Sequence, residues 1–314
     1  INTSTNNTAF SFSNNILKNG TIPSYPTNIT FLTSGYNGNI LGTEICVADY
    51  WIWKYSGQFS NEYSSWQHLR STGTIKIGEG FTMKGVESSE SSFTSKQNYV
   101  FEGKPNNGNI IIPIKTGNDC LVGNPYPSAL DADEFIKDNI SNLETNGRNI
   151  NGSIINGTLY FWDHFASGTH VVPEYSGGYA TYNLMGGAAA VCSDKRINMT
   201  GNSGNKIPGR YIPVGQGFFV SAIFNSDLEN NANTSELNET IIGGDIIFKN
   251  SQRVFKKETE ETSLFIKQNN SKSETKNQDT RQKIRLMLDS PKGYHRQLLV
   301  GVDNVLHGLW VFLY

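Results

Sequence analysis

The residues able to do acid–base or metal chemistry are few and scattered. Asp163 stands beside His164, with His170 nearby, a pairing that suits proton transfer or a metal ligand. Neither a third ligand nor a nucleophile motif lies close to it. His68, His295 and His307 are isolated. The chain has no Gly-x-Ser-x-Gly elbow, no His-Glu-x-x-His and no phosphate-binding loop. Glu44, Asp49, Asp163 and Glu174 are carboxylates of the kind glycoside hydrolysis uses, but that reaction needs two of them about 5–9 Å apart across the scissile bond. The sequence alone does not place any two of them relative to each other. The expectation is a protein that is not an enzyme.

Two other groups could bind a ligand. Asp131, Asp133 and Glu134 form an acidic cluster with the oxygen chemistry that Ca²⁺ prefers. The cluster lacks the spacing of an EF-hand loop, and helix capping accounts for the same residues without an ion. The aromatics Trp51, Trp53, Trp66, Tyr160 and Trp162 could form a platform on which sugar rings stack, or they could be core. Trp66, within Ser64-Ser65-Trp66-Gln67-His68, has the most polar surroundings. The candidate ligand-binding residues are therefore Trp66, Trp162 and His164, and the candidate calcium ligands are Asp131, Asp133 and Glu134.

These side chains must be carried by strands. Hydrophobic residues are 37% of the 314 and charged residues only 17%, the balance being Asn, Ser, Thr and 31 Gly. Such residues favour turns and sheet edges over helix interiors. The 17 Phe, 14 Tyr and 5 Trp supply the large apolar surfaces of a β core. A net charge of −2 argues against a nucleic-acid binder, which needs a basic face. No apolar run is long enough to span a membrane as a helix. Cys46, Cys120 and Cys192 are too few for a disulfide framework; one disulfide with a free thiol, or three buried thiols, both fit. The Asn-x-Ser/Thr triplets, such as those at Asn28 and Asn156, reflect the wealth of Asn and Thr in the composition.

Strand signals recur along the chain. They include the aromatic run Tyr50 to Tyr55, read as one buried strand, Ile110 to Ile114, Thr158 to His164, Gly178 to Tyr182 and Ile241 to Phe248. One amphipathic helix is expected near 129–139, with Ser128 as cap. The segment Ile75-Lys76-Ile77-Gly78-Glu79-Gly80-Phe81 recurs as Ile212-Pro213-Val214-Gly215-Gln216-Gly217-Phe218. Each copy follows a Trp-bearing strand and precedes a strand ending at Ile112 or Phe248. The glycine pairs lack the strand–helix context of a dinucleotide site and read as bulges or tight turns.

The expected fold is all-β, with tandem β-sandwich or jelly-roll-like units and one short inserted helix. The expected division is 1–120, a related unit 121–256, and a partial module 257–314 with a mobile loop at 269–282. Ile1 and the apolar tail Val305–Tyr314 suggest an excised piece whose last module is incomplete.

Leu121-Val122-Gly123-Asn124-Pro125-Tyr126-Pro127-Ser128-Ala129-Leu130-Asp131 carries a family resemblance. So do Gly78 to Gly85, Tyr99 to Gly108, Ile212 to Val220, Phe248 to Arg253 and His295 to Gly301. Together these segments resemble the region before the C-terminal sorting domain in flavobacterial (Bacteroidetes) surface proteins exported by type IX secretion. The resemblance implies an extracellular or outer-surface location, contact with the type IX machinery during export, and a role in adhesion or polymer handling. It implies no catalytic residues. The expected function is non-catalytic adhesion or glycan binding. The alternatives are an accessory region of a secreted polysaccharide-degrading enzyme and a structural spacer.

Overall fold

The computed structural model describes residues 10–12, 17–20, 25–41, 44–86, 98–144, 146–166, 176–191, 204, 206–222 and 241–256, with strands at 283–289, 295–302 and 309–313. The expected mobile loop at 269–282, and His170, Glu174, Cys192 and His307, lie outside them. The chain forms two compact units, Ile1–Asn269 and Asn270–Tyr314.

The first part of the larger unit is built from short strands: β1 (Phe10–Ser11), β2 (Leu17–Asn19), β3 (Thr27–Asn28), β4 (Thr30–Leu32), β5 (Asn39–Leu41), β6 (Glu44–Ala48), β7 (Trp53–Tyr55), β8 (Trp66–His68), β9 (Thr74–Ile75) and β10 (Tyr99–Phe101). They pair as β1–β9, β10–β2–β3, β4–β6–β5 and the β7–β8 hairpin. Phe12, Leu17, Ile45, Val47, Ile52 and Ile75 form their buried core. The aromatic run expected as one strand is divided. Asp49–Trp51 is a 3₁₀ turn and only Trp53–Tyr55 is extended, because the buried Asp49 carboxylate takes the backbone N–H and hydroxyl of Ser71 and an ion pair from Arg70.

The second part contains β11 (Ile110–Lys115), β12 (Asp119–Gly123), β13 (Ala129–Asp131), helix α1 (Ala132–Asn139), β14 (Leu159–Ala166), β15 (Ser176–Asn183), β16 (Gly186–Val191), β17 (Tyr211–Ile212), β18 (Gly217–Ser221), β19 (Gly243–Phe248) and β20 (Arg253–Val254). A five-stranded antiparallel sheet runs β12–β18–β14–β15–β16. The two-residue period of a strand sends Val122, Phe218, Val220, Leu159, Phe161, Ala180 and Tyr182 to its inner face. There they meet Ile110, Ile112, Ile114, Ile246 and Phe248 of the β11–β19 ladder, and Phe135 and Ile136 of α1. Phe135 lies 4.8 Å from Phe248 and 5.5 Å from Phe218, centroid to centroid. Each such fully buried side chain contributes about 1.5–3 kcal/mol. The fold is thus all-β and sandwich-like, with one short helix, as composition indicates.

Apart from Ile77, which joins the second core, the residues of the first core end at Phe101 and those of the second begin at Ile110. The last strands of the two repeats, β11 and β19, pair with each other, Ile112 opposite Ile246, and this carries residues 110–120 into the second core. The repeated segments make the same turn. Glu79 N–H donates to Lys76 O (3.1 Å) and Gln216 N–H to Pro213 O (3.3 Å), each with a positive-φ glycine inside, Gly78 or Gly215. Both turns grip the end of β12: Gly123 N–H donates to Gly78 O (2.9 Å) and Asn124 N–H to Gln216 O (3.0 Å).

In the smaller unit β21 (Lys283–Asp289), β22 (His295–Val302) and β23 (Leu309–Leu313) form an antiparallel meander. Within the apolar tail, Leu309–Leu313 forms its third strand, with Val311 opposite Val300. The unit begins at Asn270 rather than 257.

Candidate functional site

Alternation along β14 that buries Leu159, Phe161 and Asp163 places Tyr160, Trp162 and His164 on the outer face of the five-stranded sheet. Phe219 lies opposite Tyr160, and Tyr179 opposite Trp162. The β7–β8 hairpin adds Tyr55 and Trp66, themselves a cross-strand pair. The result is an unbroken row of aromatic rings. Trp66 is 5.0 Å from Tyr55, Tyr55 5.4 Å from Phe219, Phe219 5.7 Å from Tyr179, and Tyr179 5.1 Å from Trp162, all edge-to-face. Trp162 is 42% exposed and Tyr179 39%.

A hollow of about 410 Å³ opens on this row, lined by Tyr55, Trp66, Asp119, Tyr160, Tyr179, Phe219 and Ser221. Its polar groups are held in place. Asn61 Nδ2 donates to Asp119 Oδ2 (3.0 Å), and Tyr55 donates its hydroxyl proton to Asn61 Oδ1. Asn156 Nδ2 donates to the Tyr160 oxygen (2.9 Å), while its own backbone N–H donates to Ser221 O (2.8 Å). Burial pushes the Tyr55 phenol pKa up. The arrangement offers ring faces to apolar C–H surfaces and fixed oxygens to hydroxyl groups. Among the described residues, no positive side chain lines the hollow.

Of the residues expected to bind ligand, Trp66 lines the hollow, Trp162 ends the aromatic row, and His164 follows on the same face of β14. Trp51 and Trp53 lie in another cluster. Trp53 stacks on His68 at 3.9 Å, and Lys84 sits over Trp51. Tyr55, Tyr179, Phe219 and Asp119 were not singled out by sequence. The signal for Phe219 is the adjacent pair Phe218-Phe219: on a two-faced strand one ring must point out.

Asp131, Asp133 and Glu134 are brought together at the start of α1, but each is held by neighbouring side chains. Asp131, not Ser128, is the helix cap and accepts from the N–H groups of Asp133 (3.1 Å) and Glu134 (3.4 Å). Arg210 chelates it with both nitrogens at 2.9 Å and also reaches Asp133 at 3.3 Å. Tyr182 donates its hydroxyl proton to Asp133 (2.8 Å), and Lys137 and Arg148 hold Glu134 and keep its pKa below the usual carboxylate value. Capping and ion pairing use the charge that a calcium ion would need. The carboxylates weighed for hydrolysis are engaged likewise: Glu44 accepts from Thr30, Asp49 pairs with Arg70, and buried Asp163 pairs with Lys206 at 2.7 Å.

The motifs behind the family resemblance act as a latch. The Asn124 amide donates to the carbonyls of Ser128 (2.9 Å), Pro213 (3.1 Å) and Ile212 (3.3 Å), and its oxygen takes Tyr126 N–H (3.1 Å). Tyr126 donates to Gly108 O (2.7 Å) beneath the Arg253 guanidinium. Asn250 joins Asn107 (2.9 Å) and receives Gly108 N–H (3.1 Å).

Fold and site together define an all-β protein with an aromatic, uncharged-to-acidic surface row. Residues 36–304 match the family model described as a domain of unknown function, DUF8693, and the chain belongs to that family. No curated protein and no solved structure matches it.

Proposed function

We propose that this chain is a non-catalytic region of a secreted, cell-surface protein that binds a glycan chain along the outer face of its five-stranded sheet. The observation carrying this reading is the row Trp66, Tyr55, Phe219, Tyr179 and Trp162. Trp162 and Tyr179 stand exposed at one end of the row while Tyr55, Trp66 and Phe219 are half-buried, and large apolar rings gathered on an outer sheet face mark an interaction surface. A row rather than a closed pit suits an extended ligand, each sugar ring laying its C–H face on one aromatic and its hydroxyls toward Asp119, Asn61 or Tyr160. The resemblance to regions preceding type IX sorting domains supports export by that machinery and an outer-surface or extracellular location. The pairing of each weighed and described carboxylate supports a role without catalysis.

The test is a panel of soluble and insoluble polysaccharides presented to the protein and to a Trp66→Ala, Trp162→Ala double variant. Specific binding that the double variant loses supports the reading. Failure to bind any polysaccharide sinks it and leaves the structural spacer. Cleavage of a polysaccharide by the wild-type protein would overturn the non-catalytic part.

A further inference from the structure

A second cavity of about 450 Å³ lies between the two repeated turns, walled by the rings of Phe81, Tyr99, Phe101 and Tyr126 and by Asn106. We propose that it is a binding pocket for one small, neutral, hydroxyl-bearing ring, a polyol of monosaccharide size. The proposal stands apart from the aromatic row and shares no residue with it.

The glycines of the wall carry the argument. Gly78 and Gly215 have φ of +85° and +76°, which the turns require, and a Cβ on Gly80 would stand 2.6 Å from Val122 O. Folding therefore accounts for these three. Gly123 and Gly217 differ. Neither has a positive φ, and a Cβ would meet nothing nearer than 3.7 Å at Gly123 and 3.5 Å at Gly217. A β strand weakens where glycine replaces a side chain, so these two cost stability and solve no conformational problem. What their missing side chains leave is the cavity.

The wall chemistry selects the ligand. Asn106 is 3% exposed; its Nδ2 donates to Pro125 O at 2.8 Å, while its Oδ1 accepts no hydrogen bond. A buried acceptor without a donor is costly, and a small rotation of the Asn106 amide toward a ligand hydroxyl would relieve it. The charged side chains of the wall are Lys76 and Glu79, opposite in sign, and Glu79 is already paired with Lys54 at 3.0 Å. Of the other side chains, Asn124 is a polar amide already bonded within the fold and the rest are aromatic or aliphatic; the volume lies within the range of small-molecule sites, about 300–1,000 Å³.

The experiment is methyl-resolved NMR titration of the whole chain with glucose, galactose, mannose, N-acetylglucosamine and myo-inositol. At least one probe is expected to shift the methyls of Ile77, Val100 and Val214, which line the cavity. Gly217→Val should weaken that response at least tenfold by filling the space, and Asn106→Leu several-fold by removing the acceptor. Met185→Ser, on an exposed turn outside the cavity, should leave it intact. If Gly217→Val does not fold, Gly123→Val serves the same purpose. Shifts at none of these methyls with any probe, or shifts that survive filling of the cavity, overturn the proposal.

Discussion

Trp162 and Tyr179 face each other across the β14–β15 ladder, their rings 5.1 Å apart and inclined at 69°, on the side of the sheet turned from the core. Both remain more than a third exposed. Trp162→Ala is expected to change stability by less than about 1 kcal/mol, because little of the core depends on it. Glycan affinity should fall roughly tenfold, about 1.4 kcal/mol. Calorimetric titration beside thermal unfolding separates the two effects. An equal loss of stability and affinity would mark the ring as structural.

Asn124 gives a contrasting prediction. One amide ties the β12 end to the segment before the helix and to the second repeated turn. Asn124→Ala removes these bonds and leaves buried carbonyls unpaired, a loss of about 2–4 kcal/mol. Denaturant unfolding should show it as a shift in midpoint. Asn124→Asp should not rescue, since a carboxylate cannot donate to those carbonyls.

Arg210 holds the acidic helix start together, so calcium should be irrelevant to the native protein. Excess EDTA or added Ca²⁺ should leave the melting temperature unchanged. Arg210→Ala should lower stability by about 1 kcal/mol, a modest figure because the guanidinium is 43% exposed. A calcium-dependent rise in the melting temperature of the wild-type protein would contradict this account.

The all-β class, the helix and the repeated turn were legible because each has a local cause: strand alternation, an acidic first turn, and paired glycines at fixed spacing. The aromatic row was half legible. Trp66 and Trp162 stand out by residue type, whereas Phe219 and Tyr179 join them only through the registers Tyr160–Phe219 and Trp162–Tyr179, which are set by pairing across the sheet. The same non-local pairing hid the core boundary. Nothing in residues 110–120 taken alone says that Ile112 will meet Ile246. The ion pairing of the acidic cluster was not legible, because Arg210 is far along the chain from Asp131 and Asp133.

Burial raises the pKa of three acids whose charged forms water would favour: the Cys120 thiol from 9.0 to about 12, and the Tyr99 and Tyr126 phenols from 10.0 to about 12. In the unfolded chain these groups lose their protons first, so over this range the unfolded state binds fewer protons than the folded one. Stability then falls as pH rises. The contribution is complete below pH 9 and is lost from there up to about pH 12. Thermal melts through the alkaline range should show a steepening loss of stability that begins above pH 9. Tyr99→Phe should soften it, because that variant has no phenol to titrate. At neutral pH the buried Cys46 and Cys120 should resist a thiol reagent until the protein is unfolded. Rapid labelling of Cys120 in the native state would show that the second core opens far more readily than its packing implies.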